Sequence, residues 1–386
     1  MMKVYLDHNA TTPMDRRVLD EMMPCLQEEF GNASSIHQWG RKAKRALDES
    51  RAKIASLLGA DKDSIVFTGG GTEADNFAVK GVAWANQEKG KHIISSAVEH
   101  HAVLHVCEWL HKQGFEISFL PVDGRGRIDP EDLRKAIRPD TILITLMHAN
   151  NETGTIFPLK EFGQIARERK VYFHTDAIQS FCKIPLNVEE DRVDLLSLSA
   201  HKIYGPKGVG ALYIRKGTKI VPLLHGGSQE RKRRPGTENV AGAVGFARAA
   251  ELLHADMQQE ARRLASLRDQ LQNGLTEKIP HVQLNGDPEN RLPGTLNMSF
   301  EFVEGESLIL RLDMEGIAVS SGSACTSGSL EPSHVLLAMG IPHEVCHGSL
   351  RFSLGRGTTK EQIDYVVEAL PRIVEGLRAM SPMTKP

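Results

Sequence analysis

The residues whose types and positions could do chemistry are a lysine, an aspartate, a histidine, a cysteine, an arginine and a run of glycines. Lys202 sits in Ser199-Ala200-His201-Lys202-Ile203-Tyr204-Gly205-Pro206, just after the apolar stretch Leu195-Leu196-Ser197-Leu198. Most lysines are solvated surface charges. A lysine at a buried strand end can have a lowered pKa and form a Schiff base with an aldehyde. Asp176 closes the stretch Val171-Tyr172-Phe173-His174-Thr175-Asp176. An aspartate there can simply cap a helix. In a buried setting its carboxylate needs a cation or strong donors instead. A pyridinium N–H would serve, and a ring held protonated in this way is an electron sink.

Gly69-Gly70-Gly71-Thr72 lets backbone amides approach an anion at a helix N-terminus, and phosphate is the natural ligand. A plain strand-to-helix turn has the same composition. No Gly-Lys-Ser/Thr ending follows, so this is not a nucleoside-triphosphate loop. Ser199 and His201 could reach the same phosphate. His100 could stack on a flat ring or move a proton. His101 and His105, spaced i and i+4 with Cys107 nearby, suggest a metal. No carboxylate or third ligand shares their helical face, so packing is the expectation for them. Cys325 lies among serines, glycines, a threonine and an alanine, a setting that suits an accessible, reactive thiol. Cys25, Cys107, Cys182 and Cys346 fall in or beside periodic or apolar segments and read as packing residues. Arg351, in Ser349-Leu350-Arg351-Phe352-Ser353, either clamps a carboxylate with two hydrogen bonds or faces solvent.

Something must bring these groups together. Arg41 to Leu58 has helical spacing, and Gly59 can end it. Strands are expected at 64–68, 92–95, 141–147, 171–175 and 195–198, with helices opening near Thr72 and His100. The stretch 210–214 can return antiparallel. Strands separated by helices imply right-handed crossovers and a largely parallel α/β sheet. Ligands bind beyond the carboxyl ends of such strands. There the sequence places Gly71-Thr72, Glu99-His100, Asn150-Asn151, Asp176 to Gln179, and Ser199 to Lys202. After about Ala255 the texture changes to a charged helix (258–275), a strand (295–300), a helix (306–314) and a strand (317–320). We read a large domain over 14–255 and a smaller α+β domain formed by 1–13 and 256–386.

The bulk numbers bound the function. The chain has 386 residues, 40% hydrophobic and 25% charged, with a formal charge of −2. That balance gives no electrostatic case for nucleic acid or an anionic membrane. The N-terminus lacks the apolar core of a signal peptide, and no run has the length of a membrane helix. Five scattered cysteines without a CxxC pair argue for a reducing cytoplasm.

In combination the motifs resemble the cysteine desulfurases of the NifS/IscS kind, within the fold-type I enzymes of pyridoxal phosphate (PLP) and the class-V aminotransferase family. The resemblance runs from Tyr5-Leu6-Asp7-His8-Asn9-Ala10-Thr11-Thr12-Pro13 through Gly70-Gly71-Thr72-Glu73-Ala74-Asp75-Asn76 and Asn150-Asn151-Glu152-Thr153-Gly154. It continues through His174-Thr175-Asp176-Ala177, Ser199-Ala200-His201-Lys202, Arg234-Pro235-Gly236-Thr237 and Ser321-Gly322-Ser323-Ala324-Cys325. His8 and Ala74 depart from the common asparagine and serine. The resemblance implies that Lys202 carries the Schiff base and Cys325 a persulfide. It implies that His100 stacks on the ring, Asp176 pairs with the pyridine nitrogen and Gln179 bonds the phenolic oxygen. Gly71, Thr72, Ser199 and His201 would hold the phosphate. Thr237 would reach the phosphate of a neighbouring subunit in a homodimer. Asn151 would serve cofactor and substrate, and Arg351 the substrate carboxylate. L-cysteine would be the substrate and a sulfur-acceptor protein, such as an iron–sulfur scaffold, the partner. A tail after Arg378 shorter than in housekeeping members leaves the acceptor open. A selenocysteine lyase would use the same constellation. A PLP aminotransferase would need no loop thiol.

Overall fold

The computed structural model describes residues 2–321 and 332–380. Its centre is a seven-stranded sheet. In spatial order the strands are Ile65–Thr68, Gly210–Ile214, Leu195–Ser199, Tyr172–Asp176, Thr141–Thr145, His92–Ser96 and Glu116–Leu120. The last five pair in parallel, and Gly210–Ile214 runs antiparallel to both its neighbours. The expected antiparallel return is therefore present. Alternate residues feed two apolar clusters, one on each face. Ile65, Ile94, Ile144 and Leu196 join one, and Val66, Ile93, Leu143 and Leu195 join the other. Covering on both faces explains why these strands read as near-continuous apolar runs.

Helices fill the crossovers. Gly71–Asn86 and His101–Lys112 pack together on one face. The helix Gln38–Leu58 starts three residues before the sequence expectation, because the His37 side chain accepts a hydrogen bond from the Gly40 amide. Gly59, with φ 70°, ends it. A second core surrounds the antiparallel sheet of Val282–Asn285, Thr295–Phe300 and Ser349–Ser353. Helices Met257–Lys278, Gly305–Met314 and Lys360–Met380 cover it, and Val4 and Leu6 from the N-terminus enter it. The strand expected over 317–320 is short, Ile317–Ala318, and pairs in parallel with Val4–Tyr5. Beyond it, Ser320 bridges to Arg351. Val335, Leu336 and Met339 pack into the core of the large sheet. No helix among the described residues is long and apolar enough to cross a membrane.

One buried ion pair ties the sheet to an irregular segment. Arg51 Nη1 and Nη2 donate to the two carboxylate oxygens of Glu230 at 2.6 and 2.7 Å. Glu230 also accepts from the Phe67 amide at 2.9 Å. The pair holds Glu230, Arg231 and Lys232 in left-handed backbone, with φ 46°, 57° and 66°. Such conformations cost about 1–2 kcal/mol per residue, so something must hold them. Glu230→Ala would leave the buried guanidinium with only the exposed carboxylate of Asp48, 3.9 Å from Nε, as an ion-pair partner. The expected loss is about 3–5 kcal/mol in urea unfolding. A loss within experimental error would show that the pair does not hold the segment.

Candidate active site

The parallel strands end at one cleft of about 250 Å3. Lys202 sits in the one-turn helix Ala200–Lys202 directly after Leu195–Ser199. Its Nζ donates to the carbonyls of Asn9 and Ala10 at 2.5 and 2.8 Å. The N-terminal segment is pinned there by Thr12, whose hydroxyl donates to the His201 carbonyl at 2.8 Å. The chain's first residues thus form one wall of the site. Asn9 and Ala10 have no individual role in the sequence motifs; the polar run His8-Asn9-Ala10-Thr11-Thr12 is their signal.

Asp176 ends its strand buried, with a hydrogen bond from the Ile178 amide at 2.8 Å. Burial raises its pKa, and the Ile178 amide and the Lys202 charge pull the other way. Asp75, also fully buried, lies 3.7 Å from His174 Nε2. Burial, then the charge of Asp176, hold Asp75 well above the usual carboxylate range. Two carboxyl groups in one dry place cannot both stay ionised without a cation. A cationic N–H donor therefore fits against Asp176.

His100 caps the helix His101–Lys112, with its Nδ1 accepting from the Ala102 amide at 3.1 Å. That bond leaves the ring proton of the neutral form on Nε2. Burial first, then the Lys202 charge, push its pKa down to about 4, so the ring is neutral at pH 7. His201 meets Thr11 Oγ1 at 3.1 Å and is likewise pushed down to about 4, by burial and then by Lys202. The helix Gly71–Asn86 starts without a side-chain cap. A Cβ on Gly71 would lie 2.2 Å from Ile178 Cδ1, so any side chain there would displace Ile178. Uncapped amides beside Ser199 and His201 make a fitting phosphate cradle. Arg351 is buried on its strand; Nη2 donates to Asp7 Oδ1 at 2.9 Å and Nη1 to the Asn151 carbonyl at 3.1 Å. The solvent-facing alternative for Arg351 is thereby removed.

The family description Aminotransferase class-V matches residues 4–366. The chain belongs to that family. Within it, the chain sits with the cysteine desulfurases of the NifS/IscS type. It is 58% identical over 380 residues to the cysteine desulfurase IscS of Dictyoglomus turgidum, covering 98% of this chain and 96% of that one. Among solved structures it is similar to a NifS-like protein, with TM-score 0.92, 39% identity, and 97% and 100% of the two chains covered. It is also similar to SspA in complex with cysteine, with TM-score 0.81, 38% identity, and 91% and 99% covered. The class-V family is PLP-dependent.

In this member of the class-V family the cleft gathers Gly71, Thr72, His100, Asn151, Asp176, Gln179, Ser199, His201, Lys202 and Arg351. It does not gather Thr237, which is exposed elsewhere on the surface. Cys325 lies outside the described residues. The residues flanking it are anchored at the cleft. The Arg351 amide donates to the Ser320 carbonyl at 2.6 Å, and Ser333 Oγ donates to buried Glu152 at 2.5 Å. The His101–His105 pair lacks Cys107, which faces the core with its thiol pushed up to about 12 by burial. His334 packs there instead, its ring tilted 46° to that of His101 with centroids 4.8 Å apart.

His148 gives a pH prediction. Burial alone pushes its pKa down to about 4. The unfolded chain takes up that proton near pH 6.5, so stability falls as pH drops below that value and stops falling near the folded pKa. Between pH 7 and 5 this residue should cost about 2 kcal/mol. His148→Gln should remove that much of the acid-side slope in denaturant titrations. An unchanged slope would place the proton uptake elsewhere.

Proposed function

We propose that this chain is a PLP-dependent cysteine desulfurase, converting L-cysteine to L-alanine with sulfur captured as a persulfide on Cys325. The observation that carries the reading is the convergence of Lys202, His100 and buried Asp176 in one cleft. Lys202 would hold the cofactor by a Schiff base, with Asp176 against its ring nitrogen, His100 against its face and Gln179 near its phenolic oxygen. Gly71, Thr72, Ser199 and His201 would take its phosphate. When bound, the cofactor supplies an electron sink for charge formed at the substrate Cα. Arg351 and Asn151 orient the substrate carboxylate. Lys202 would be the base for the substrate Cα proton, and neutral His100 would pass protons through Nε2. The Cys325 thiolate attacks the substrate sulfur. An S–S bond forms, the C–S bond breaks, and its electron pair goes to the carbon that takes a proton to give alanine.

The separate apolar core around the antiparallel sheet supports a division into a large unit, 14–255, and a small unit, 1–13 with 256–386, although Val335, Leu336, Met339 and Cys346 of the latter pack into the core of the large sheet. On this division the cleft takes residues from both. We place the enzyme in the cytoplasm, serving an iron–sulfur scaffold or another acceptor. It works as a homodimer in which Thr237, exposed beside the basic run 231–234, reaches the neighbouring site. Cofactor-loaded, active monomer in sedimentation experiments would refute the shared site.

One chemical reduction and one variant test the chemistry. Borohydride reduction should attach the cofactor to Lys202, and attachment at another lysine would sink its assignment. Cys325→Ala should keep its visible absorbance and its cysteine binding. Alanine formation should fall to background, because the substrate sulfur has lost its nucleophile. Alanine production at the parent rate would rule out the persulfide route.

A further inference from the structure

Behind Asn9 and Lys202 lies a second, smaller cavity of about 50 Å3, lined by both residues as the cleft is. Lys183 lines it too, and none of the roles described above uses this lysine. Its Nζ donates to Gln179 Oε1 at 3.2 Å. Gln179 Nε2 donates to the Asn9 carbonyl at 2.8 Å. Lys202 donates to that same carbonyl at 2.5 Å. A chain of hydrogen bonds therefore runs from Lys183 through Gln179 and Asn9 to Lys202. The two ends of a glutamine amide differ only in what they can bond. Lysine only donates, so it must meet the amide oxygen. The amide N–H2 is then turned toward Asn9 and the cleft.

Lys183 also carries charge in a crowded place. Burial first, then the charges of Lys202 and Arg351, push its pKa down to about 7. His8 faces it from the N-terminal segment and Glu260 from the helix Met257–Lys278, with Tyr204 and Arg356 also on the cavity wall. Cys182, next to it in the chain, is kept as the thiol by burial. Glu260 is occupied by Arg263 at 2.7 and 2.9 Å. The His201 ring in turn feels Lys183. The surroundings of Lys202 on this side are thus positive, with one carboxylate already engaged.

We propose that Lys183 is a positioning residue for the cofactor linkage at Lys202: it fixes the Gln179 amide and places a cation behind the linkage, so that the Schiff base stays unprotonated at lower pH. The inference rests on the reading of Lys202 as the Schiff-base lysine. A nearby cation disfavours a protonated imine. An N–H donor held toward the phenolic oxygen favours the phenolate and acts in the same direction. The consequence is chemical. Substrate arrives as an ammonium ion and must lose a proton before it can displace Lys202. An unprotonated imine nitrogen can take that proton, so none has to be passed to solvent.

The test is a pH titration of the visible absorbance of the cofactor-loaded dimer. Lys183→Met removes both donor and charge and should raise the midpoint by about one unit. Lys183→Arg keeps both and should restore the parent midpoint. Lys183→Gln keeps a donor without the charge and should fall between them. A Lys183→Met titration that overlays the parent overturns the proposal, and so does an Arg variant that titrates like Met. If the Met variant does not fold, the comparison of Gln with Arg carries the test, and equal midpoints overturn it. Borohydride mapping keeps the two ideas apart. Attachment away from Lys202 sinks the Schiff-base assignment. Attachment at Lys202 with an unmoved midpoint sinks only the role of Lys183.

Discussion

Everything at this site follows from placing a carboxylate where water is scarce. Asp176 ends the strand Tyr172–Asp176, deep in the sheet, with a single described hydrogen-bond donor, the Ile178 amide. A carboxylate in that setting is stable in charged form only beside a cation. Asp75 behind it sharpens the demand, because two buried carboxyl groups repel as anions. A cationic ring N–H, as the proposed cofactor would carry, meets that demand. Around the same cleft stand His100 at the helix cap, the uncapped amides at Gly71, and Lys202 after the neighbouring strand.

The second organising feature is the N-terminal segment. Asn9 and Ala10 accept from Lys202, Thr12 donates to the His201 carbonyl, and Asp7 holds Arg351. One short stretch thus links the lysine after the large sheet to the arginine of the small one. Val4 and Leu6 anchor it in the small core. Any shift of the small core relative to the large sheet would be felt at Lys202 and Arg351 together. Ser320 and Ser333, which bracket the segment carrying Cys325, are tied to Arg351 and Glu152 at the same place.

The histidines show the cost of a dry cleft. His100 and His201 are both pushed down to about 4, by burial first and the Lys202 charge second. They act as neutral rings near neutral pH. Their neutrality keeps further positive charge away from Lys202 and leaves ring N–H groups as directed donors.

Much of this was legible in the sequence, because period and position carry it. Apolar runs of four to seven residues separated by helical stretches read as buried strands of a doubly covered sheet. In such a sheet the residue after each strand falls at the ligand-binding edge. Asp176, Lys202, His100 and Gly71 follow from that rule, and the wider motif pattern supplied their chemistry. The tertiary structure alone decided the rest. Arg351 reads equally as solvent-facing or clamping until its partners Asp7 and Asn151 appear, from positions 344 and 200 residues away in the chain. Asn9 is an unremarked polar residue until the chain folds back over Lys202. Lys183 is an ordinary lysine until Gln179 turns its amide toward it. Periodicity describes how one element meets its neighbours. A side chain whose role depends on a carbonyl or an amide from a distant segment has no local signature, because its energy is set by desolvation and by partners that only the folded chain brings near.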